Sequence, residues 1–420
     1  MRIRVVVPVL VTVVAVASCT GTPQREQHGG DRSVPNETLL LATAGGPLAV
    51  DVPSGHVVVD ARNAVASTDG ARLYEADAAN GQTSLRTIDA ATGAELSRTV
   101  VPGDLAVRVV SWDGTHAALM PPLARGQDAW TPVPRTETTI TVADPSGKGR
   151  AVRYRLHGNY EPEAFSIDHA YLFLIQYLPA EAPAVYRVTK LDLAAGRVEP
   201  VLSPYKAPTE RMPGQRLEQV AAADDSKLFT LYTSERPGFA PHDAPVPRNA
   251  IVSFVHVLSL SEEWAHCVGL PKVLWHQPAS AEAMALSPDG STLYIVDADK
   301  GVVVTMDTAS LDTSGPYRVE LPPPGQRTTA TLSPDGRTLF VGTSAGGGQV
   351  TAVDTSTYDV VDRWSTGGGV SGIGMSLDGA RLYVALDGRL EVLNAASGRD
   401  LGDVGVASPA PIQAISAIAG

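Results

Sequence analysis

Short runs of apolar or alternating apolar and polar residues, each bounded by Gly, Pro, Asp or Ser, recur from about residue 37 to the end of the chain. Runs of this length between turn formers predict β-strands, not helices. One segment returns with recognisable letters: Leu286-Ser-Pro-Asp-Gly-Ser-Thr-Leu-Tyr294, Leu332-Ser-Pro-Asp-Gly-Arg-Thr-Leu-Phe340 and Met375-Ser-Leu-Asp-Gly-Ala-Arg-Leu-Tyr383. Weaker copies set an Asp four residues before an apolar position, at Asp69/Leu73, Asp113/Ala117, Asp168/Leu172 and Asp224/Leu228. The turn aspartates therefore form the series 69, 113, 168, 224, 289, 335 and 378. An Asp-Gly pair supplies the positive φ of a tight hairpin, so each copy marks one pair of strands.

A second signal follows each turn, an apolar residue and then Asp or Asn before another turn: Ile88-Asp89, Ala143-Asp144, Leu191-Asp192, Met306-Asp307, Val353-Asp354 and Leu393-Asn394, with Leu258-Ser259 in the fourth repeat. The short polar side chain bonds the backbone of the turn that opens the next strand. Two hairpin signals per repeat predict a four-stranded blade, and seven repeats predict an all-β, seven-bladed β-propeller over residues 37–420. The run Ser-Pro-Asp-Gly-x-x-Leu-[Tyr/Phe], followed by Val-Asp-x-x-[Ser/Thr], resembles the YVTN/YncE-type and WD40-like bacterial propellers. The likeness is good over residues 281 to 400 and faint before them. It implies a fold and very little chemistry. The tail Ala410-Pro-Ile-Gln-Ala-Ile-Ser-Ala-Ile418 reads as an inner strand, while Leu39-Leu40-Leu41 and His56-Val57-Val58-Val59 compete to complete the ring. One terminal strand is expected to join the blade of the other terminus.

Composition supports the strand reading: aromatics make up 5% and charged residues 19%, with 39 Gly and 32 Pro, as many short strands and turns require. The formal charge of -12 makes nucleic acid an unfavourable partner. The scarcity of Lys among the basic residues and the abundance of Ala point to a GC-rich bacterial genome, expected to be actinobacterial.

Residues 1–18 have the parts of an export signal, with Arg2 and Arg4 before an apolar stretch from Val5 to Ala17. The junction Val16-Ala17-Ser18-Cys19 resembles the lipobox of bacterial lipoproteins, which implies acylation of Cys19 and an extracytoplasmic, membrane-anchored protein. Residues 19–36 are polar and turn-rich, the expectation for a flexible tether. The one other cysteine, Cys267, sits in an apolar run and reads as a small buried hydrophobe. His256 likewise lies within an apolar strand and reads as a core residue.

The turn aspartates are 44, 55, 56, 65, 46 and 43 residues apart, so extra chain collects in blades two, three and four. It falls between second and third strands, at 121–135, 178–184 and 234–249, and between blades three and four at 203–215. These connections share one face of a propeller, which is where a binding surface is expected. Two insertions end alike, Pro132-Val-Pro-Arg135 and Pro245-Val-Pro-Arg248. The arginines read either as rigid guanidinium groups for an anionic ligand or as loop braces bridged to local acids. Trp130, Tyr205, Phe239 and His242 supply candidate contact area in the same loops. Glu161, Glu163, Glu218 and Glu282 fall at the starts of innermost strands, around the central channel, where a hard cation such as Ca²⁺ is a candidate ligand.

Two motifs lose their chemistry in context. Gly342-Thr-Ser344-Ala-Gly346 spells a nucleophile elbow and Gly367-Gly-Gly369-Val-Ser-Gly372 a dinucleotide fingerprint, but a strand is expected after each where the chemistry needs a helix. No catalytic constellation emerges. The reading is a binding or scaffolding propeller for a protein or cell-envelope ligand, recognised by the loops of blades two to four. The alternative is a propeller enzyme, lactonase-like or quinoprotein-dehydrogenase-like, with its site at the channel mouth.

Overall fold

The computed structural model describes residues 36–43, 45–61, 63–124, 131–203, 207, 210–222, 224–233, 253–406 and 412–419. The leader, Cys19 and the tether lie outside these residues. So do Trp130, Tyr205, Phe239, His242 and Arg248.

The strands pair into eight sheets of four antiparallel strands each. Blades one to seven follow chain order over 64–102, 106–157, 159–200, 215–269, 282–318, 328–365 and 372–404. The eighth is built from both ends of the chain: Ile412–Ala419 is innermost, and Glu37–Thr43, Gly46–Asp51 and Val57–Asp60 complete it outward. Its joint runs in register from Glu37↔Ala419 to Ala42↔Ala414. The expected count of seven is therefore corrected to eight. Each Asp-containing turn joins an innermost strand to its neighbour, and in blade eight those two strands are the two ends of the chain. No turn exists there to be counted. Both N-terminal segments that competed for closure are used, as second and outermost strands.

The seven turns share one construction. The residue after each Asp takes positive φ, as at Gly70 (71°), Gly114 (72°) and Gly290 (72°), with His169 (59°) and Asp225 (55°) where glycine is missing. Ser287 Oγ donates to Asp289 Oδ1 at 2.6 Å, and Asp289 also accepts the Ser291 amide at 3.0 Å. These bonds hold the Asp289 carboxyl down at about 2. The second signal is an Asx turn, as at Asp354, whose Oδ1 accepts the Ser356 and Thr357 amides at 2.8 and 3.0 Å. The aspartates are thus structural.

The core lies between blades. Phe229, Leu231, Val255 and Val257 of blade four pack with Met284, Ile295 and Val304 of blade five, all essentially inaccessible. Each such side chain contributes about 1.5–3 kcal/mol by leaving water. Ring closure uses a polar clasp as well: Glu37 accepts the Leu377 amide at 2.9 Å and the Tyr383 hydroxyl, tying blade eight to blade seven. After Ser344 a single 3₁₀ turn, Ala345–Gly347, leads into the strand Gln349–Asp354, and the strand Gly372–Met375 follows Gly369, so neither motif opens an α-helix. Cys267 is half-buried on the outer strand of blade four against Met212, and His256 is buried on that blade's third strand.

Candidate functional site

Connections between second and third strands and those between blades leave their sheets on one face, so the described ends of the blade-two and blade-three insertions, Pro121, Arg135 and Leu178–Ala184, lie on the same side of the ring. Beneath them the innermost strands are irregular. Pairing shifts by one residue at Arg108 in blade two, at Glu163 in blade three and at Leu217 in blade four. The innermost strands of blades five, six and seven pair without a break, while blade eight has one shift, at Gln413. A bulge leaves its extra residue unpaired and turns that side chain out of the regular alternation. Two of the three extra residues, Arg108 and Glu163, are charged and meet partners on neighbouring blades.

Glu161 receives two guanidinium groups. Arg135 Nη2 donates to its Oε2 at 2.6 Å, and Arg108 Nε lies 2.8 Å from its Oε1, with the Arg108 and Glu161 side chains only 7% and 4% exposed. Arg135 Nε donates to Asn159 Oδ1 at 2.8 Å, and Asn159 in turn donates to the carbonyls of Val133 and Ala180. Arg108 Nη2 donates to the Pro121 carbonyl at 2.7 Å. The exit of the blade-two insertion is thereby fixed to blade three, and its entrance to Arg108 of blade two itself. Desolvation lowers the Arg108 pKa; Glu161 opposes this and Arg135 adds to it.

Glu163 accepts from Arg216 Nη1 at 2.7 Å and from Gln219 Nε2 at 2.8 Å, and the Glu163 and Arg216 side chains are 2% and 6% exposed. Burial pulls the Arg216 pKa down, yet Glu163 and the surrounding tyrosines outweigh it and the guanidinium is held firmly protonated. Behind the pair stand Tyr186, Tyr232 and Phe254, stacked at centroid distances of 5.1 and 5.0 Å. Burial raises the hydroxyl pKa of Tyr177, Tyr186 and Tyr232 above the ordinary value.

The half-buried Glu218 accepts the Met284 amide at 2.7 Å, across to blade five. Burial raises its carboxyl to about 7, against the opposing effects of that amide and Arg327. Glu282 is buried, accepts Ser253 Oγ at 3.4 Å, and stands directly opposite Asp297 in the strand pairing. Burial raises the Asp297 pKa as well.

The four predicted glutamates lie on the innermost strands of blades three, four and five, and each has a protein partner from elsewhere in the fold. They do not form one convergent group, and among the described residues no three His, Cys, Asp or Glu side chains come together in a way that would hold a metal ion. Arg135 occupies the brace position that its sequence context allowed. Arg108, Asn159, Arg216, Gln219 and Asp297 were not singled out in the sequence. The signal for the first four is a charged or amide residue in an innermost strand, as in Ala106-Val-Arg108-Val-Val110 and Gln215-Arg216-Leu217-Glu218, whereas Asp297 ends the second strand of blade five.

The architecture defines the class: a β-propeller of four-stranded antiparallel blades. Solved structures agree on the fold. The chain resembles apo AztD from Citrobacter koseri, with TM-score 0.54 and 12% identity over 91% of this chain and 97% of that one. It also resembles the dihydro-heme d1 dehydrogenase NirN in complex with DHE, with TM-score 0.52 and 13% identity over 95% of this chain and 77% of that one. At these identities the likeness shows the fold alone. No known protein-family profile and no curated protein sequence matches the chain.

Proposed function

We propose that this protein is a binding or scaffolding propeller of the YVTN/YncE-like kind, held on the extracytoplasmic side of a bacterial membrane by a lipid on Cys19. Its ligand, a protein or a cell-envelope component, is received by the insertion face of blades two to four. One observation supports this placement above others. Long connections, bulged innermost strands and buried charges coincide in those three adjacent blades, whereas the innermost strands of blades five to seven pair regularly. Irregular backbone and buried charge cost stability, and they are retained where a surface does work. Trp130, Tyr205, Phe239, His242 and Arg248 are the contact residues this reading assigns to the loops, with Arg135 at their base.

Photocrosslinking in the native host membrane tests the placement. A crosslinker is put at Trp130 or Phe239, and as a control at Leu377, which is 55% exposed on a turn of the opposite face. The reading expects the first two positions to capture the same partner and the third to miss it. Capture from Leu377 alone would overturn the assigned face. A Cys19→Ser protein that still sediments with membranes would overturn the anchor.

A further inference from the structure

We infer that the channel mouth contains a seat for one carboxylate group of the ligand, formed by Arg135 in front and Arg108 behind, on the shared Glu161. The inference rests on the binding-face reading and names the chemistry that face would recognise.

Charge balance comes first. The ion pairs of blades two to four at the mouth join Arg108, Arg135 and Arg216 to Glu161 and Glu163, three cations to two anions. Among the described ion pairs Glu163 answers Arg216, while Glu161 alone answers two guanidinium groups, so the positive excess of this set falls on Arg108 and Arg135. Arg108 is nearly inaccessible, and a surplus charge held away from water is costly unless a counter-charge is supplied. The contact that should relieve it is imperfect, since Arg108 Nε and Glu161 Oε1 are buried and close without the alignment of a hydrogen bond.

Geometry then selects the group that meets the ligand. Arg135 spends its Nε and Nη2 edge on Asn159 and Glu161. Among the described hydrogen bonds Nη1 takes none, which leaves the outer fork of Nη1 and Nη2 for a two-oxygen acceptor. With its side chain 23% exposed, Arg135 is the reachable member of the pair, whereas Arg108 and Arg216 are 7% and 6% exposed. Asn159, the Ala180 carbonyl and Glu161 fix its orientation, so little side-chain freedom remains to be lost on binding. One surplus charge and one free fork match a carboxylate monoanion. A phosphate dianion would leave a negative charge unmatched.

The test compares thermal unfolding midpoints of the full-length protein in detergent at pH 7, in sodium acetate, sodium chloride and sodium phosphate of equal ionic strength. Acetate at about 100 mM should raise the wild-type midpoint by about 1–2 °C over chloride. Arg135→Gln should abolish that difference and Arg135→Lys should reduce it, because the charge stays and the fork is lost. Glu161→Gln removes the one counter-charge and should enlarge the acetate effect. Should that variant not fold, the Arg135 substitutions still decide. No acetate effect in the wild type, an effect unchanged in Arg135→Gln, or a larger effect from phosphate would each overturn the seat. If the acetate difference is absent while the crosslinking pattern holds, the seat falls and the binding face stands; the opposite combination fells the face and leaves the seat.

Discussion

Replacing Glu163 by Gln tests whether the buried charges at the mouth are held by each other. The substitution keeps shape and leaves an amide oxygen for Gln219, but it turns an N–H₂ group toward the Arg216 guanidinium, whose side chain is 6% exposed. A buried cation that loses its partner costs about 3–5 kcal/mol. Against a typical total of about 5–15 kcal/mol this is a large loss. Arg216→Met strands the carboxylate instead and should cost a similar amount. Glu163→Gln with Arg216→Met removes both charges, so it should recover about 2 kcal/mol or more relative to the sum of the single changes. Urea unfolding of the four full-length proteins in detergent, followed by fluorescence and circular dichroism together, gives the midpoints and checks that the transitions coincide. A Glu163→Gln protein within about 1 kcal/mol of wild type would refute the reasoning, as would a double variant no better than additive.

Glu218 gives a pH dependence. Its carboxyl moves from 4.5 to about 7 on folding, so its stabilising contribution is complete below about pH 4.5 and is lost as the pH rises through 7. Unfolding midpoints between pH 5 and 8 should fall less steeply in Glu218→Gln than in the wild type, and parallel curves would sink the assignment. Two glycines provide a matched contrast. A Cβ at Gly398, where φ is +63°, would stand 2.2 Å from the Trp364 ring, so Gly398→Ala should cost about 2–4 kcal/mol in the same urea assay. Gly388, at φ +77°, has nothing within 4 Å, and its Ala variant should cost only about 1 kcal/mol. Equal losses would show that backbone conformation alone governs both turns.

Much of the fold was legible because strands and turns are local. The alternation that made Leu293-Tyr-Ile-Val-Asp297 a strand needs no distant partner, and neither does the Ser287-to-Asp289 turn before it. The eighth blade was hidden because the counted signal belongs to a connection that the chain ends interrupt. A better signal was present. Val50-Asp51-Val-Pro-Ser54-Gly55 repeats the second turn, with Ser54 donating its amide to Asp51 at 3.0 Å and Gly55 at φ 68°. Counting those turns gives eight.

The mouth was half legible. The glutamates do fall on innermost strands, Glu282 at the start of its strand and Glu163 and Glu218 in mid-strand, but their partners depend on tertiary packing. Arg216 reaches Glu163 across 53 residues and a blade boundary, and its posture follows a bulge that no single-strand pattern announces. Asp297 meets Glu282 only through register.

The meeting of both chain ends in blade eight has a mechanical consequence. The strand Glu37–Thr43 lies between Ile412–Ala419 on one side and Gly46–Asp51 on the other, bonded along both edges. A pull on Glu37 directed along that strand loads the two ladders in shear, many bonds at once, and does not peel them one by one. An anchored propeller of this design would carry tension from its leash at its seam without opening the ring.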